Sequence, residues 1–374
     1  MQSHLRANLW LLVFTMVICS ILYPAILLGI GQTVLSDQSQ GSLVTDAQGQ
    51  VRGSRLIAQP FTGDEYFQPR PSAVSYQANA SGASNWGASN YKLRDRVARQ
   101  LGPIVRYGTG AEKRGKTPGQ LVGPDIEAWF QKDHVNDKPG IVAQWADLHA
   151  GLAEDWIKDA GGKLKDQWKE GDKERDPIDS FLAQWQEDYP DLYNAWQKSD
   201  GYADWKKKNS DQTTPAAGDL ATPFFESFSK AYPGFWPYVD DVETKDKQKR
   251  KKITRVQKAE GSQNEVCSVF FDMWRNEHPD VPLKEVPADM VMASGSGLDP
   301  HITLANAMYQ LKYRVAAAQA EKLKKPEAKI QEVLEALLQE HKEAPLRGLV
   351  GVELVNVLEV NRAMAQRMEK LAKE

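Results

Sequence analysis

The sequence predicts an α+β chain with three parts: one N-terminal transmembrane helix, a mixed extracytoplasmic core domain, and a mainly helical, Trp-rich insertion. Three observations predict it. No charged residue occurs from Leu9 to Ile30, where large apolar side chains dominate. Residues 282–374 carry apolar stripes at helical spacing. Nine of the eleven tryptophans fall between residues 103 and 281. The expected divisions are 1–34 (cytoplasmic N-terminus and transmembrane helix), 35–102 (core, first part), 103–281 (acidic helical insertion) and 282–374 (core, second part).

About 20 apolar residues, each rising 1.5 Å, cross a hydrocarbon layer of roughly 30 Å. The run Leu9–Ile30 meets that length. Arg6 precedes it and the next basic residue is Arg52. The positive-inside rule then places the N-terminus in the cytoplasm and the remainder outside. Pro24 lies within the run, where it would kink a helix, and a bilayer helix tolerates this when the freed carbonyl finds a partner. A cleaved signal peptide is the alternative. Its apolar region is shorter and ends in a small-x-small site, which Gly29-Ile30-Gly31 matches poorly. Cys19 follows Val17-Ile18, unlike a lipoprotein anchor. It would lie in lipid and Cys267 outside, so the two cannot pair.

Residues 35–97 read as short strands and turns punctuated by Gly41, Gly49 and Gly53. From Gln59 to Asn90 the chain is dense in Gly, Ser, Asn and Pro. It also holds Phe61, Tyr66, Phe67, Tyr76 and Trp86, which favour an ordered irregular loop over disorder. The middle, 103–281, has 32 acidic and 26 basic residues. Its tryptophans from Trp129 to Trp205 are irregularly spaced, so no repeat is assigned. Short amphipathic helices with one Trp each are expected. Toward the C-terminus Thr303 can cap a helix with Leu304, Met308, Leu311, Val315 and Ala318 on one face. Pro326 opens a second stripe through Ile330, Val333, Leu334, Leu337 and Leu338, and Pro345 ends it. Leu354–Leu358 is strand-like, and a last helix runs through Asn361, Met364 and Met368.

The chain is 41% hydrophobic and 26% charged, as expected of a globular protein outside the single apolar run. A net charge of -3 gives no general attraction to nucleic acid. Two cysteines form no disulfide framework or zinc spacing, and HExxH and GxSxG motifs are absent. Gly110–Thr117 fits the phosphate-loop pattern, but Pro118-Gly119 follow at once, where that chemistry needs a helix. It reads as coincidence. Ser294–His301 reads either as an elaborate turn or as an anion or partner contact. His301 beside Asp299 reads as a hydrogen-bonded loop histidine in preference to half a metal site. Lys249–Lys252 reads as a solvated loop, with anionic lipid headgroups or an acidic partner as the functional alternative. The tryptophans read as core before they read as a glycan-binding surface.

Four segments together carry a family resemblance. They are Arg52–Gly63 with Tyr66–Ala73; Ala80–Asn85; Met292–Ile302; and Val355–Asn361. In this order, behind an N-terminal anchor, the chain resembles the C subunit of the bacterial Kdp potassium-transporting ATPase over about 1–102 and 282–374. It departs from the family at 103–281, at Pro69 before Arg70, and at Ala83, the last two being positions where glycine is usual. The resemblance implies a non-catalytic accessory subunit of a P-type, ATP-driven potassium-uptake complex in the inner membrane. Its implied partners are the channel-like subunit, the P-type catalytic subunit and membrane lipid, with no nucleic acid. ATP is implied only through the complex, and Gln310 matches the family's nucleotide-related helix glutamine. Phe67, Arg70, Pro71, Ser84, Asn85, Ser294, Gly297, Leu298, Asp299, Asn356 and Asn361 match its structural or interface motifs. The competing class is a membrane-anchored extracytoplasmic protein whose insertion binds glycan, cell wall or a protein partner.

Overall fold

The computed structural model describes residues 2–45, 48–133, 139–168, 175–243, 249–257, 266–344 and 350–373. Pro345, His134 and the side chains of Lys249 and Arg250 lie outside what is described. The chain divides into two units, Met1–Ser84 with Pro287–Glu374, and Asn85–Val286. Each has its own hydrophobic core.

The first unit begins with a continuous helical rod, His4–Val34, long and apolar enough to cross a membrane. Its middle turn, Ile18–Leu22, is π-helical, and the Tyr23 N–H donates five residues back to the Ile18 carbonyl. Pro24 sits just beyond, in the first turn of Tyr23–Val34. A proline lacks the N–H and crowds the carbonyl four residues earlier, so a widened turn is the local way to continue the helix. A small antiparallel hairpin follows, Leu43–Thr45 against Val51–Ser54. Residues 55–84 form no strand but are ordered, and Phe67 is buried within the core.

The C-terminal half of this unit supplies most of the core. His301–Thr303, Leu354–Asn356 and Lys342–Glu343 make an antiparallel sheet with Leu354–Asn356 in the centre. Thr303 caps the helix Leu304–Gln310 by accepting from the Asn306 N–H at 3.1 Å. A π-turn, Leu311–Val315, joins that helix to Ala316–Leu323. The extra residue in this turn rotates the following stripe, so that Ala316 and Gln319 are buried and Ala318 only half-buried. Glu327–Glu340 is capped at Pro326, and Ile330, Leu334, Leu337 and Leu338 are buried. Val357–Lys373 closes the unit on Val360, Met364 and Met368. Strand structure in the expected Leu354–Leu358 segment thus stops at Asn356, whose side chain accepts from the Glu359 N–H and starts the helix.

The second unit is mainly helical. Gly123–Gln131, Ile141–Leu148, Ala150–Leu164, Pro177–Asp188, Pro190–Gln197, Asp200–Lys208 and Val266–Glu277 each carry one tryptophan. Trp145, Trp185, Trp196, Trp236 and Trp274 are buried, and Trp129, Trp156 and Trp168 pack on the same core. Phe224, Phe225 and Phe228 of Ala217–Ala231 interleave with them. Aromatic pairs such as Trp145 edge-on to Trp236 at 4.9 Å add about 1 kcal/mol beyond the area they bury.

Two elements of this unit differ from the sequence expectation. Tyr91–Leu101 is a helix capped by Asn90, and Gly102 at its end packs on the Val266–Glu277 helix. A Cβ there would lie 2.1 Å from the Cys267 carbonyl oxygen, so only glycine permits this approach. The basic run is not a loop. Lys249–Val256 pairs antiparallel with Trp236–Glu243, setting Asp240 opposite Lys252 and Asp241 opposite Lys251. Opposite charges such as Asp240 and Lys252 across a ladder stabilise it modestly. The edge of the hairpin is covered by side chains. The Ile253 N–H donates to Asp188 at 2.7 Å, and the Tyr189 hydroxyl donates to the Ile253 carbonyl at 2.7 Å.

Candidate functional site

In the first unit the motif residues converge on the irregular loop around Phe67. Asn361, from the last helix, holds Phe67 by both backbone groups. The Phe67 N–H donates to Asn361 Oδ1 at 2.8 Å, and Asn361 Nδ2 donates to the Phe67 carbonyl at 2.8 Å. Gln310 does the same one residue later. The Gln68 N–H donates to Gln310 Oε1 at 2.7 Å, and Gln310 Nε2 donates to the Gln68 carbonyl at 2.9 Å. Two side-chain amides therefore play the part of a neighbouring strand for a segment that has none.

Gln310 has no hydrogen-bonding capacity left. Its second N–H goes to Asn306 Oδ1 at 2.8 Å and its oxygen also accepts from Arg314 at 2.6 Å. Arg314 reaches on to the Tyr66 carbonyl at 3.0 Å. Asn306, Gln310 and Arg314 are spaced i, i+4, i+8, a polar stripe along residues 304–315. Sequence reading missed Asn306 and Arg314, and that spacing from Gln310 is the signal that could have found them.

Arg70 lies beyond the clamps and faces the Ser294–Asp299 turn. Its Nε donates to the Met292 carbonyl and an NH2 to the Ala293 carbonyl, both at 3.3 Å, and Asp299 stands 3.7 Å from its guanidinium. Pro71 is half-buried beside it. Ser72 Oγ donates to the Gly297 carbonyl at 2.7 Å, and the Gly82 N–H donates to the Ser296 carbonyl at 2.9 Å. Gly297 has φ +68, and a Cβ there would meet Val74 at 2.7 Å and the Gly82 carbonyl at 2.9 Å. The Leu298 carbonyl accepts from the Ala58 N–H at 2.8 Å. Ser294, buried, accepts from the Asp299 N–H. The turn is a lock for two loops.

Asn356 donates to the Arg55 carbonyl at 2.8 Å. Asp289 binds both the N–H and the hydroxyl of Thr303, at 2.7 and 3.0 Å. Arg55 lies in the family-like segment Arg52–Gly63 without a role assigned to it, and nothing in the sequence singled out Asp289. Ser84 ends this unit, and Asn85, at φ +52, opens the other.

His301 bonds Asp299 at 3.3 Å through Nδ1, and its backbone N–H donates to the same carboxylate at 3.0 Å. The hydrogen bond from His301 holds the Asp299 carboxyl below its ordinary value, with Arg70 contributing. The same bond raises His301. A raised histidine stabilises fully below its unfolded pKa, about 6.5, and the gain fades as pH rises through the folded value. A lowered carboxyl stabilises fully above its unfolded pKa, about 3.9, and the gain fades as pH falls. The pair therefore helps most between about pH 4 and 6.5. Raising pH from 6 to 8.5 is expected to lower the stability of the native chain relative to His301→Gln, by a small amount because the two side chains are 30% and 35% exposed. Urea unfolding of the two chains checks this, and parallel pH profiles would remove the pair as a cause.

The phosphate-loop match lacks its context. Gly110 and Gly115, at φ +92 and +70, bracket a short 3₁₀ turn, Ala111–Arg114. The next helix begins only at Gly123. The Lys116 ammonium donates to Asp125 at 2.7 Å, and the Tyr107 hydroxyl donates to the other oxygen at 2.6 Å. Among the described residues no three His, Cys, Asp or Glu converge as a metal site.

The family model for the K+-transporting ATPase c chain, KdpC, matches residues 5–123 and 249–366, more than half of the chain. Residues 124–248 fall outside it. Similar proteins include the potassium-transporting ATPase KdpC subunit of Pseudomonas putida (strain W619). It is 46% identical over 110 residues, 29% of this chain and 60% of that protein. The KdpC subunit of Pseudomonas savastanoi pv. phaseolicola is 47% identical over 105 residues, covering 28% and 55%. That of Methanosphaerula palustris is 41% identical over 122 residues, covering 33% and 63%. The matches thus span between half and two thirds of the relatives' length. With the apolar helix, the clamped loop and the Ser294–Asp299 lock in place, the chain belongs to the KdpC family of potassium-transporting ATPase subunits.

Proposed function

We propose that the chain is a non-catalytic accessory subunit of a high-affinity, ATP-driven potassium-uptake complex in the cell membrane. Its helix packs among the membrane subunits with the N-terminus in the cytoplasm. Its first unit stands on the extracytoplasmic side, over the potassium entry, and stabilises the assembly of the channel-like and P-type subunits.

One observation carries this reading: Arg70, Gln310, Asn356 and Asn361 are consumed in holding the chain's own backbone. Gln310 is 5% exposed and all its donors and acceptors are paired within the unit. A nucleotide could reach it only by opening the Gln68 clamp. Any effect on ATP use is therefore indirect, passed through the complex.

Arg70 joins the loop to the lock by its charged side chain, beside the Ser72 and Gly82 bonds. Arg70→Ala leaves the Met292 and Ala293 carbonyls without their donor and Asp299 with His301 alone, at a cost of about 2 kcal/mol. The expected result is a lower yield of assembled complex and slower potassium uptake at low external potassium. Normal yield together with normal uptake would overturn the reading.

A further inference from the structure

Exposed apolar side chains of the first unit gather where the chain leaves its helix. Leu35, Leu43, Val51 and Leu56 are all exposed, Leu56 at 61% and Val51 at 57%. Beyond this segment and the helix, the described large apolar residues that the unit exposes are Met292, Val350 and Val352.

The geometry fixes the height of this segment. Leu35 breaks the helix at φ -124, ψ 40. The short helix Ser36–Ser39 then folds back, so that a Cβ on Gly31 would lie 3.4 Å from Ser39 Cβ. The Ser42 N–H donates to the Asp37 carbonyl at 2.8 Å, and Ser54 Oγ donates to the Gly41 carbonyl at 2.6 Å. The Arg55 guanidinium pairs with Asp37 and stands 3.6 Å from Glu359. Arg362 donates to the Thr45 carbonyl at 3.2 Å. The hairpin is thus held between the helix end and the core.

Val34 lies about 6 Å along the axis beyond Ile30, where the apolar run ends. The interfacial layer on each side of a bilayer is of similar thickness, roughly 5–7 Å. The short helix Ser36–Ser39, folded back to the level of Gly31, sits in that layer, and the two strands are tied to it through Asp37 by the Ser42 N–H and the Arg55 guanidinium. Strand alternation turns Leu43 and Thr45 outward and Val44 inward, and Val51 is the cross-strand partner of Thr45. Those residues would face water at no advantage, but they suit the boundary of headgroup and acyl chain.

We propose that the Leu43–Leu56 hairpin is a second, non-spanning contact with lipid. Leu43, Val51 and Leu56 enter the interfacial layer beside the helix, and Arg55 transmits that position to the core. The inference rests on the reading of His4–Val34 as a membrane span.

The test uses the full chain in phosphatidylethanolamine–phosphatidylglycerol nanodiscs with a nitroxide label at one cysteine at a time. Native Cys19 reports on the span. Val51→Cys and Leu56→Cys, made with Cys19→Ser, report on the hairpin, and exposed Ala328→Cys is the reference. Buried Cys267 stays unlabelled. Lipid contact raises collision with oxygen and lowers collision with a water-soluble nickel chelate. The expected oxygen-to-nickel ratio at Val51 and Leu56 is severalfold above Ala328 and below Cys19. High nickel access at both sites, or loss of access to both reagents as in burial against protein, overturns the proposal while leaving the span intact. A water-like ratio at Cys19 overturns the span and the proposal together.

Discussion

Asn361→Ala is expected to destabilise the first unit by about 3–5 kcal/mol and to abolish recovery of assembled complex. The variant removes one side chain and leaves two buried backbone groups of Phe67 without partners, each worth about 1–3 kcal/mol. Phe67 is 1% exposed, so water cannot replace the lost amide. Most domains have only 5–15 kcal/mol of stability to lose. Asn361→Asp keeps an acceptor for the Phe67 N–H but sets a buried carboxylate oxygen against the Phe67 carbonyl, so a loss at least as large is expected at neutral pH. Urea unfolding of the detergent-solubilised chain measures both. Equal, small losses in the two variants would show that the clamp is not what holds the loop.

Trp145→Ala is expected to cost the second unit about 3–5 kcal/mol. Trp145 lies at the centre of its core, meeting Phe225, Trp236 and Phe270 at 5.4, 4.9 and 6.5 Å. Its removal leaves a cavity bounded by rigid rings that cannot collapse onto it. Because the units have separate cores, hydrogen exchange should rise across 85–286 while the Phe67 clamps stay protected. Uniform loss of protection in both units would show one cooperative core. Retained potassium uptake in this variant would give the second unit a role of its own. A glycan-binding role would need open ring faces, and five of its tryptophans are buried.

The long N-terminal helix was legible because an uncharged, mostly apolar run from Leu9 to Ile30 is a one-dimensional signal. Thr303 and Pro326 were legible because capping depends on residues three or four apart. The Trp-bearing helices followed from the same short-range logic. The hairpin Trp236–Glu243 with Lys249–Val256 was not legible, because its basic strand reads as solvent-loving until the acidic strand is set opposite it. Tyr91–Leu101 was hidden by low apolar content, and its cap Asn90 lies in a stretch that reads as loop. Motif resemblance named Gln310, Asn361 and Arg70 but not what they do. The partners of Gln310 and Asn361 lie 242 and 294 residues away.

The sequence by itself determined the elements whose stability is local: the apolar span, the helix caps, and the amphipathic faces that repeat every three or four residues. It also carried the spaced motifs that mark the family. Only the tertiary structure decided that Gln310 and Asn361 serve as substitute strands for Phe67 and Gln68. It alone showed Gly297 filling a gap too small for a Cβ, and the short helix Ser36–Ser39 folding back beside the end of the apolar helix. The physical reason is that a buried backbone group must be paired, and nothing in the adjacent sequence says which distant side chain will pair it.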